Sequence, residues 1–353
     1  MKKQCLKIKM LVTLYSVSLL LLFSTTSVFA DANNISGASS GEFTKVGGAG
    51  AQFLKIGVGG RANALAGAYS AISNDLSAVY WNPASIADIH AYGAFFSYTN
   101  WFASFSHNYA AACLPVGERF MGAVQLTSFN SGDIELTTLE NSNGTGSHYK
   151  VSDYCVGLSF AGNLTDQFAF GITAKYIVNT FSSVNASGIA FDIGTIYDTG
   201  LQGIKLGFTL KNLGTQETYS GVDLRSLKKY NDAMDAAPID VEYLANPFSI
   251  PLIFTIGASS EVYKSGEHVV LAAIDFVTHS DVPENYCFGA EYTWNELISL
   301  RGGYIIGHDQ FNASCGIGFR YFTSGFGGIL DYSFSPSSTM GYINRLSLQM
   351  QFK

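Results

Sequence analysis

From residue 92 onward the chain alternates apolar and polar residues at every second position, in segments of about ten residues separated by turn formers. A period of two sends successive side chains to opposite faces of a strand. Phe168, Phe170, Ile172, Ala174 and Tyr176 therefore share one face, and Ala169, Gly171, Thr173 and Lys175 share the other. The split recurs in Ile204, Leu206, Phe208 and Leu210 against Lys205, Gly207, Thr209 and Lys211. It returns in Leu346, Leu348, Met350 and Phe352 against Arg345, Ser347, Gln349 and Gln351. No block after the N-terminus approaches the roughly 18 apolar residues of a membrane helix, yet 47% of the chain is hydrophobic, 14% aromatic and only 13% charged. Apolar surface spread along alternating strands in this amount calls for lipid around it. In lipid, strands satisfy all their backbone amides only by closing into a ring.

Counting such segments from Tyr92 to Phe352 gives about fourteen strands, an even number as single-chain bacterial barrels have. The connections supply a second test, because these barrels alternate short inner turns with longer outer loops. Turn-like stretches follow each even strand: Pro115 to Glu118, Gly162 to Asp166, Thr199 to Gly203, Tyr263 to Glu267, Trp294 to Glu296 and Thr323 to Gly325. The two long connections, Asn130 to Ser147 and Gly214 to Ser249, both follow odd strands. The expected fold is all-β: a transmembrane antiparallel β-barrel of about 14 strands in the bacterial outer membrane, embedded in its lipids.

The N-terminus reads as an export signal. Lys2, Lys3, Lys7 and Lys9 precede an apolar core from Met10 to Phe23 and a small-residue run ending at Val28-Phe29-Ala30, with cleavage expected after Ala30. A retained anchor helix is disfavoured because the apolar core is too short and no stop-transfer pattern follows. The expected organisation is a signal peptide at 1–30, an N-terminal segment with a hatch at 31–91, and the barrel at 92–353. From Gly47 to Ala91 the chain is rich in Gly and Ala and lacks strand alternation. Ser73, Asn74 and Asp75 can cap a short helix running to Tyr80, and Asn82-Pro83 reads as the cap and first residue of the next. Such a segment is too short for its own core and is expected to pack inside the barrel mouth.

Several chemistries find no support. The formal charge of −7 becomes more negative by four once the signal lysines leave, which disfavours nucleic acid. Cys5 lies ahead of the apolar core, and the four later cysteines, Cys113, Cys155, Cys287 and Cys315, are expected as small packing residues rather than bridged pairs. They have no CxxC spacing, and the histidines, His90, His107, His148, His268, His279 and His308, have no HExxH pattern, so no metal is expected. Gly57-Val58-Gly59-Gly60 in an exported chain without a βαβ unit is expected to give the hatch flexibility rather than to cradle a dinucleotide. Inward-facing Asp153, Asp192, Asp275, Glu291 and Asp331 are expected in cross-strand pairs: Lys175 and Lys205 flanking Asp192, Arg301 with Glu291, Arg320 with Asp331. With no nucleophile, base and orienter set, a hydrolase is disfavoured; no enzyme activity and no cofactor are expected.

The stretch from Ala51 to Ile89, with Asn74-Asp75 and Tyr80-Trp81-Asn82-Pro83-Ala84, resembles the N-terminal hatch of the PorV/PorQ group within the FadL-like (long-chain fatty acid transporter) outer-membrane superfamily. Glu291-Tyr292-Thr293-Trp294-Asn295, Leu300-Arg301-Gly302-Gly303-Tyr304 and Asp331-Tyr332-Ser333-Phe334 extend the resemblance over nearly the whole mature chain. The final strand also resembles those that barrel-assembly machinery recognises, except that Lys353 follows its terminal aromatic. The resemblance implies a fourteen-stranded barrel with an inserted hatch, and two functions. PorV-like members take part in type IX secretion, binding exported proteins or secretion-complex subunits; the FadL branch lets hydrophobic small molecules cross. A charge-paired lumen favours the first, since a lipid-like ligand prefers a mainly apolar pocket. For secretion the expected contact surface is the outer rim. There Leu224, Leu227, Tyr230 and Met234, with Lys228, Lys229 and Asp232 between them, have helical spacing and cover either the rim or a partner, and Tyr243 and Phe248 follow.

Overall fold

The computed structural model describes residues 48–352 except 74, 230–236, 324, 338 and 340. The expected signal peptide lies outside them, as do Asn74, Tyr230 and Met234. Fourteen strands form the wall: β1 (Tyr92–Asn100), β2 (Ser106–Val116), β3 (Phe120–Asn130), β4 (Val151–Thr165), β5 (Phe168–Phe181), β6 (Val184–Asp198), β7 (Lys205–Gly214), β8 (Ile253–Ser265), β9 (His268–His279), β10 (Asn285–Trp294), β11 (Ile298–Ile306), β12 (Ala313–Phe322), β13 (Phe326–Ser337) and β14 (Gly341–Phe352). Each pairs antiparallel with its neighbours in sequence, and β1 meets β14 from Tyr92 opposite Phe352 to Asn100 opposite Asn344, closing the ring. The register shifts at three seams: β4 with β5 between Asn163 and Thr165, β8 with β9 between Glu261 and Tyr263, and β6 with β7 beside Asp192. Asn212 bulges there at φ 61°. Its freed amide donates to Asp192 Oδ1 at 2.8 Å, so the bulge leaves that donor satisfied.

Alternation sorts the wall into two surfaces. On β5, Ile172, Ala174 and Tyr176 are exposed while Gly171, Thr173, Lys175 and Ile177 are buried, and on β14 Leu346 and Leu348 face out while Arg345, Ser347 and Gln349 face in. The outward row of Phe, Tyr, Leu and Ile is a lipid-facing belt that would be an aggregation surface in water. All four described cysteines are free; Cys315 faces outward and the other three are buried.

Connections after even strands are brief, and those after odd strands include 131–150 and 215–252. We call these two ends the inner and outer rims. The outer rim is not uniformly tall, since only residues 182 and 183 join β5 to β6. The 215–252 connection leans on this low hairpin: Ser220–Gly221 pairs with Asn185 and Val184 of β6. Over the described part of the 223–236 segment the expected helical spacing does not form a helix. After a single 3₁₀ turn at Val222–Leu224, residues Arg225–Lys228 pair antiparallel with Ile239–Glu242. The partner lies outside the window in which the helical pattern was read, and cross-strand pairing overrides a local spacing carried by two described residues, Leu224 and Leu227.

Candidate functional site

Residues 48–91 thread the lumen from end to end rather than sitting only in its mouth. At the outer rim Gly50 N–H donates to Ser249 O at 2.9 Å, and at the inner rim Asn163 Nδ2 reaches Asp88 Oδ1 at 2.6 Å. Between them lie 3₁₀ turns at Gln52–Lys55, Leu76–Tyr80 and Pro83–Ile86 and one short α-helix, α1 (Gly60–Ala64). Two of the turns begin as their sequence dictates. Asp75 accepts from Ser77 N–H at 2.8 Å, and Asn82 accepts from Ala84 N–H at 3.0 Å with Pro83 in the first helical position. Small residues keep the hatch backbone close to the wall, and the wall answers with inward glycines. A Cβ on Gly171 would overlap Pro83 and Ala84, and one on Gly303 would overlap Leu65 and Ala66. The glycines of the Gly57-Val58-Gly59-Gly60 stretch serve the same tight fit and not flexibility. Val58, Gly59 and Gly60 are buried, Gly59 holds φ at 84°, and Gly60 packs on the Asp331 backbone while its amide donates to Ser347 Oγ at 2.9 Å.

Arg61 of α1 is the centre of the hatch's attachment. Its Nε and Nη2 fork onto both oxygens of Glu291 on β10, at 2.8 and 2.7 Å, and its Nη1 donates to Asp75 at 2.7 Å. Arg301 of β11 donates to Glu291 and to Asp331 of β13, and Arg320 of β12 reaches Glu291 at 3.4 Å. Three guanidinium groups thus meet three carboxylates, the arrangement that makes buried charge tolerable. Burial alone would lower the Arg61 pKa, but Glu291, Tyr69 and Asp75 outweigh it and hold the guanidinium firmly charged. For Asp75 burial pulls upward, and Arg61 with the hydrogen bonds of Ser77 and Tyr69 brings it below the usual carboxylate range.

Two of the pairings expected from strand order do not form. Asp331 is taken by Arg301, which leaves Arg320 to Glu291. Lys175 does pair with Asp192, but Lys205 turns to the hatch and donates to Ser73 Oγ at 2.7 Å. Further anchors are Asp275, which accepts from the amides of Tyr69 and Ser70 at 2.9 Å each, and Lys211, which donates to Tyr80 O at 3.2 Å with its ammonium 4.1 Å from the Tyr80 ring centroid. Tyr80 O–H lies 2.8 Å from both Leu54 O and Ile56 O, Trp81 Nε1 donates to Val58 O at 3.1 Å, and Asn82 Nδ2 reaches Ser70 O and Thr195 O. Asp75, Tyr80, Trp81, Asn82 and Pro83 therefore lie together inside the hatch.

Above the hatch lies a cavity of about 580 Å³ lined by hatch residues and by the outer halves of the wall. Trp81, Trp101, Phe129 and Phe311 give it aromatic walls, and Lys55 and Arg345 line it as well. Lys55 pairs with Asp281 of the β9–β10 connection at 2.8 Å, and Gln52 Nε2 donates to the same carboxylate at 2.8 Å. The expected rim residues scatter. Leu227 and Tyr243 are exposed, Leu224 is half-buried, and Phe248 packs against Gly50 and Tyr219. Arg61, Lys211 and Arg345 were not singled out as site residues by sequence reasoning; strand parity marks the last two as inward, while nothing local identifies Arg61.

The sequence profile described as "Type IX secretion system protein PorV" matches residues 40–222. No curated protein matches the chain by sequence. Among solved structures, the toluene transporter TodX of Pseudomonas putida is similar at a TM-score of 0.56 and 12% identity, covering 84% of this chain and 98% of that one. The toluene transporter TbuX of Ralstonia pickettii aligns at 0.55 and 15%, covering 84% and 99%. The CymD monoaromatic hydrocarbon channel aligns at 0.54 and 14%, covering 84% and 98%. At such identities the likeness is one of fold.

Proposed function

The chain belongs to the PorV family, and from that membership we propose that it is a non-enzymatic outer-membrane component of protein secretion that binds exported proteins or partner subunits at its outer rim. One observation carries the reading: the 215–252 connection holds large apolar side chains in solvent, with Leu227 65%, Tyr243 52% and Leu244 95% exposed, beyond the end of the paired wall. Exposed anchors of this kind suit contact with another protein. The lumen beneath them is filled by a hatch held through buried ion pairs, which favours docking over free passage. A second reading, passive entry of hydrophobic small molecules, is supported by the aromatic-walled cavity and by solved neighbours named as toluene transporters.

Replacing residues 222–243 by a short Gly-Ser turn separates the two. The replacement keeps the pairing of Gln216–Glu217 with Phe248–Ser249 and the Ser249 contact to Gly50, so the barrel stays folded. It should abolish association with exported proteins and their display on cells that depend on this chain, and leave uptake of a labelled hydrophobic compound unchanged. Display that survives the replacement refutes rim binding.

A further inference from the structure

Among the described residues two buried cations, Lys211 and Arg345, have no carboxylate within ion-pairing distance, and of the two only Arg345 lines the outer cavity. Arg61, Arg301 and Arg320 share Glu291, Asp75 and Asp331, Lys175 has Asp192, and Lys55 has Asp281. Lys211 is held by the Tyr80 carbonyl and ring. Arg345 of β14 is 4% exposed, and its Nη1 donates to Ser335 Oγ at 3.1 Å. Its Nε has no partner, and no carboxylate among the described residues lies within ion-pairing distance. The guanidinium carbon sits 5.8 Å from the Trp101 ring centroid, and both residues line the outer cavity. An uncompensated charge so buried is costly unless something else neutralises it.

We propose that the outer cavity is a binding site for an aromatic carboxylate, with the carboxylate on Arg345 and the ring between the aromatic walls. A volume of about 580 Å³ suits a ligand of one or two rings. Trp101 and Phe311 pack against each other at 5.9 Å, centroid to centroid, and 53°, and together form a continuous aromatic wall of the cavity. The charge requirement is a single negative one. Lys55 is already engaged by Asp281, and Asp309, also in the lining, is exposed and lies beside His308, so a dianion would bring one charge more than Arg345 can meet. A planar guanidinium matches the two oxygens of a carboxylate. This inference stands apart from the secretion reading, since it concerns the lumen and not the rim.

The test titrates the detergent-purified full chain with 2-naphthoate, following tryptophan fluorescence, and with naphthalene and decanoate as comparators. Saturable 2-naphthoate binding is expected, with Arg345→Gln weakening it about 10- to 100-fold, the worth of a hydrogen-bonded charge pair, while naphthalene binding is unchanged. Arg345→Lys should recover part of the loss. Phe311→Ala should weaken 2-naphthoate and naphthalene together and spare decanoate. Because Arg345 has no carboxylate to lose, Arg345→Gln should leave the barrel folded, checked by unaltered migration of the unheated protein on a detergent gel. Equal 2-naphthoate affinity in the wild type and Arg345→Gln overturns the charge assignment, and decanoate binding as tight as 2-naphthoate, indifferent to Phe311→Ala, overturns the aromatic one.

Discussion

Replacing Arg61 by Met tests whether the hatch is held by charge or merely by shape. The substitution keeps an unbranched apolar stem and removes three charge-assisted hydrogen bonds, two to Glu291 and one to Asp75. Removing one partner of a buried ion pair costs about 3–5 kcal/mol. The lower end applies here, because Glu291 keeps Arg301 and Arg320, and Asp75 keeps Ser77 and Tyr69. About 3 kcal/mol is about a hundredfold in the equilibrium between docked and released hatch. Native-state hydrogen exchange reads this directly at amides such as Ala78 and Trp81, which donate to Asp75 O and Ala78 O within the hatch. Their exchange should quicken about a hundredfold in Arg61→Met, with amides of β5 and β10 unaffected, and Arg61→Lys should fall between. Unchanged exchange in the hatch would refute the electrostatic account, and equal acceleration across the strands would mean that the whole barrel, not the hatch, had been weakened.

Two further outcomes follow from the outer rim. A cysteine introduced at Ser226 should be labelled on intact cells by a bulky thiol reagent, whereas one at Gly266 in the β8–β9 turn should react only after the outer membrane is opened; the reverse pattern would invert the topology. Glu217 is buried in the outer connection, where burial first and Asp153 second lift its pKa to about 7 against the hydrogen bond from Asn179. A carboxyl whose folded-state pKa is raised stabilises most when protonated, so its contribution is full below the unfolded value near 4.5 and is lost as pH rises to about 7. Protection of the amides of 216–217 and 248–249, after correction for intrinsic base-catalysed exchange, should therefore fall between pH 5 and about pH 7, and Glu217→Gln should flatten that dependence.

Strand number and facing are legible in the sequence because the forces behind them are local. A lipid-facing position must be apolar whatever lies across the barrel, so Tyr176 or Leu348 declares its face by spacing alone. Hatch capping is legible for the same reason, since Asp75 and Asn82 act on amides two residues away. The ion pairs are less so. Strand order gives Arg301 beside Glu291, yet the deciding partner, Arg61, arrives from a segment 230 residues away in sequence. Once Arg61 occupies Glu291, Arg301 extends to Asp331 and Arg320 is displaced from the acid that strand order offers it. The outer hairpin fails on similar grounds. Leu224 and Leu227 carry a plausible helical stripe until Ile239–Glu242 supplies a pairing edge that no short window contains.

The order in which the hatch's anchors occur along the chain sets a schedule for assembly. The hatch precedes the wall in the chain, and the strands nearest to it in sequence hold it without charge: Ser97 of β1 accepts from Gly59 N–H at 3.2 Å, and Gly171 and Gly194 of β5 and β6 receive the Asn82-Pro83 turn, with Asn82 Nδ2 donating to Thr195 O. None of its acidic anchors on the wall lies on these strands. Asp275, Glu291 and Asp331 lie on β9, β10 and β13, so the Tyr69 and Ser70 amides and the Arg61 guanidinium wait, hydrated, until the last third of the barrel has been delivered. Before Glu291 is present the only carboxylate on Arg61 is Asp75 of the hatch itself, and burying the guanidinium with that partner alone is less favourable than with both. A chain that stops before β10 therefore has no wall carboxylate for Arg61 and holds its hatch by close packing and neutral hydrogen bonds.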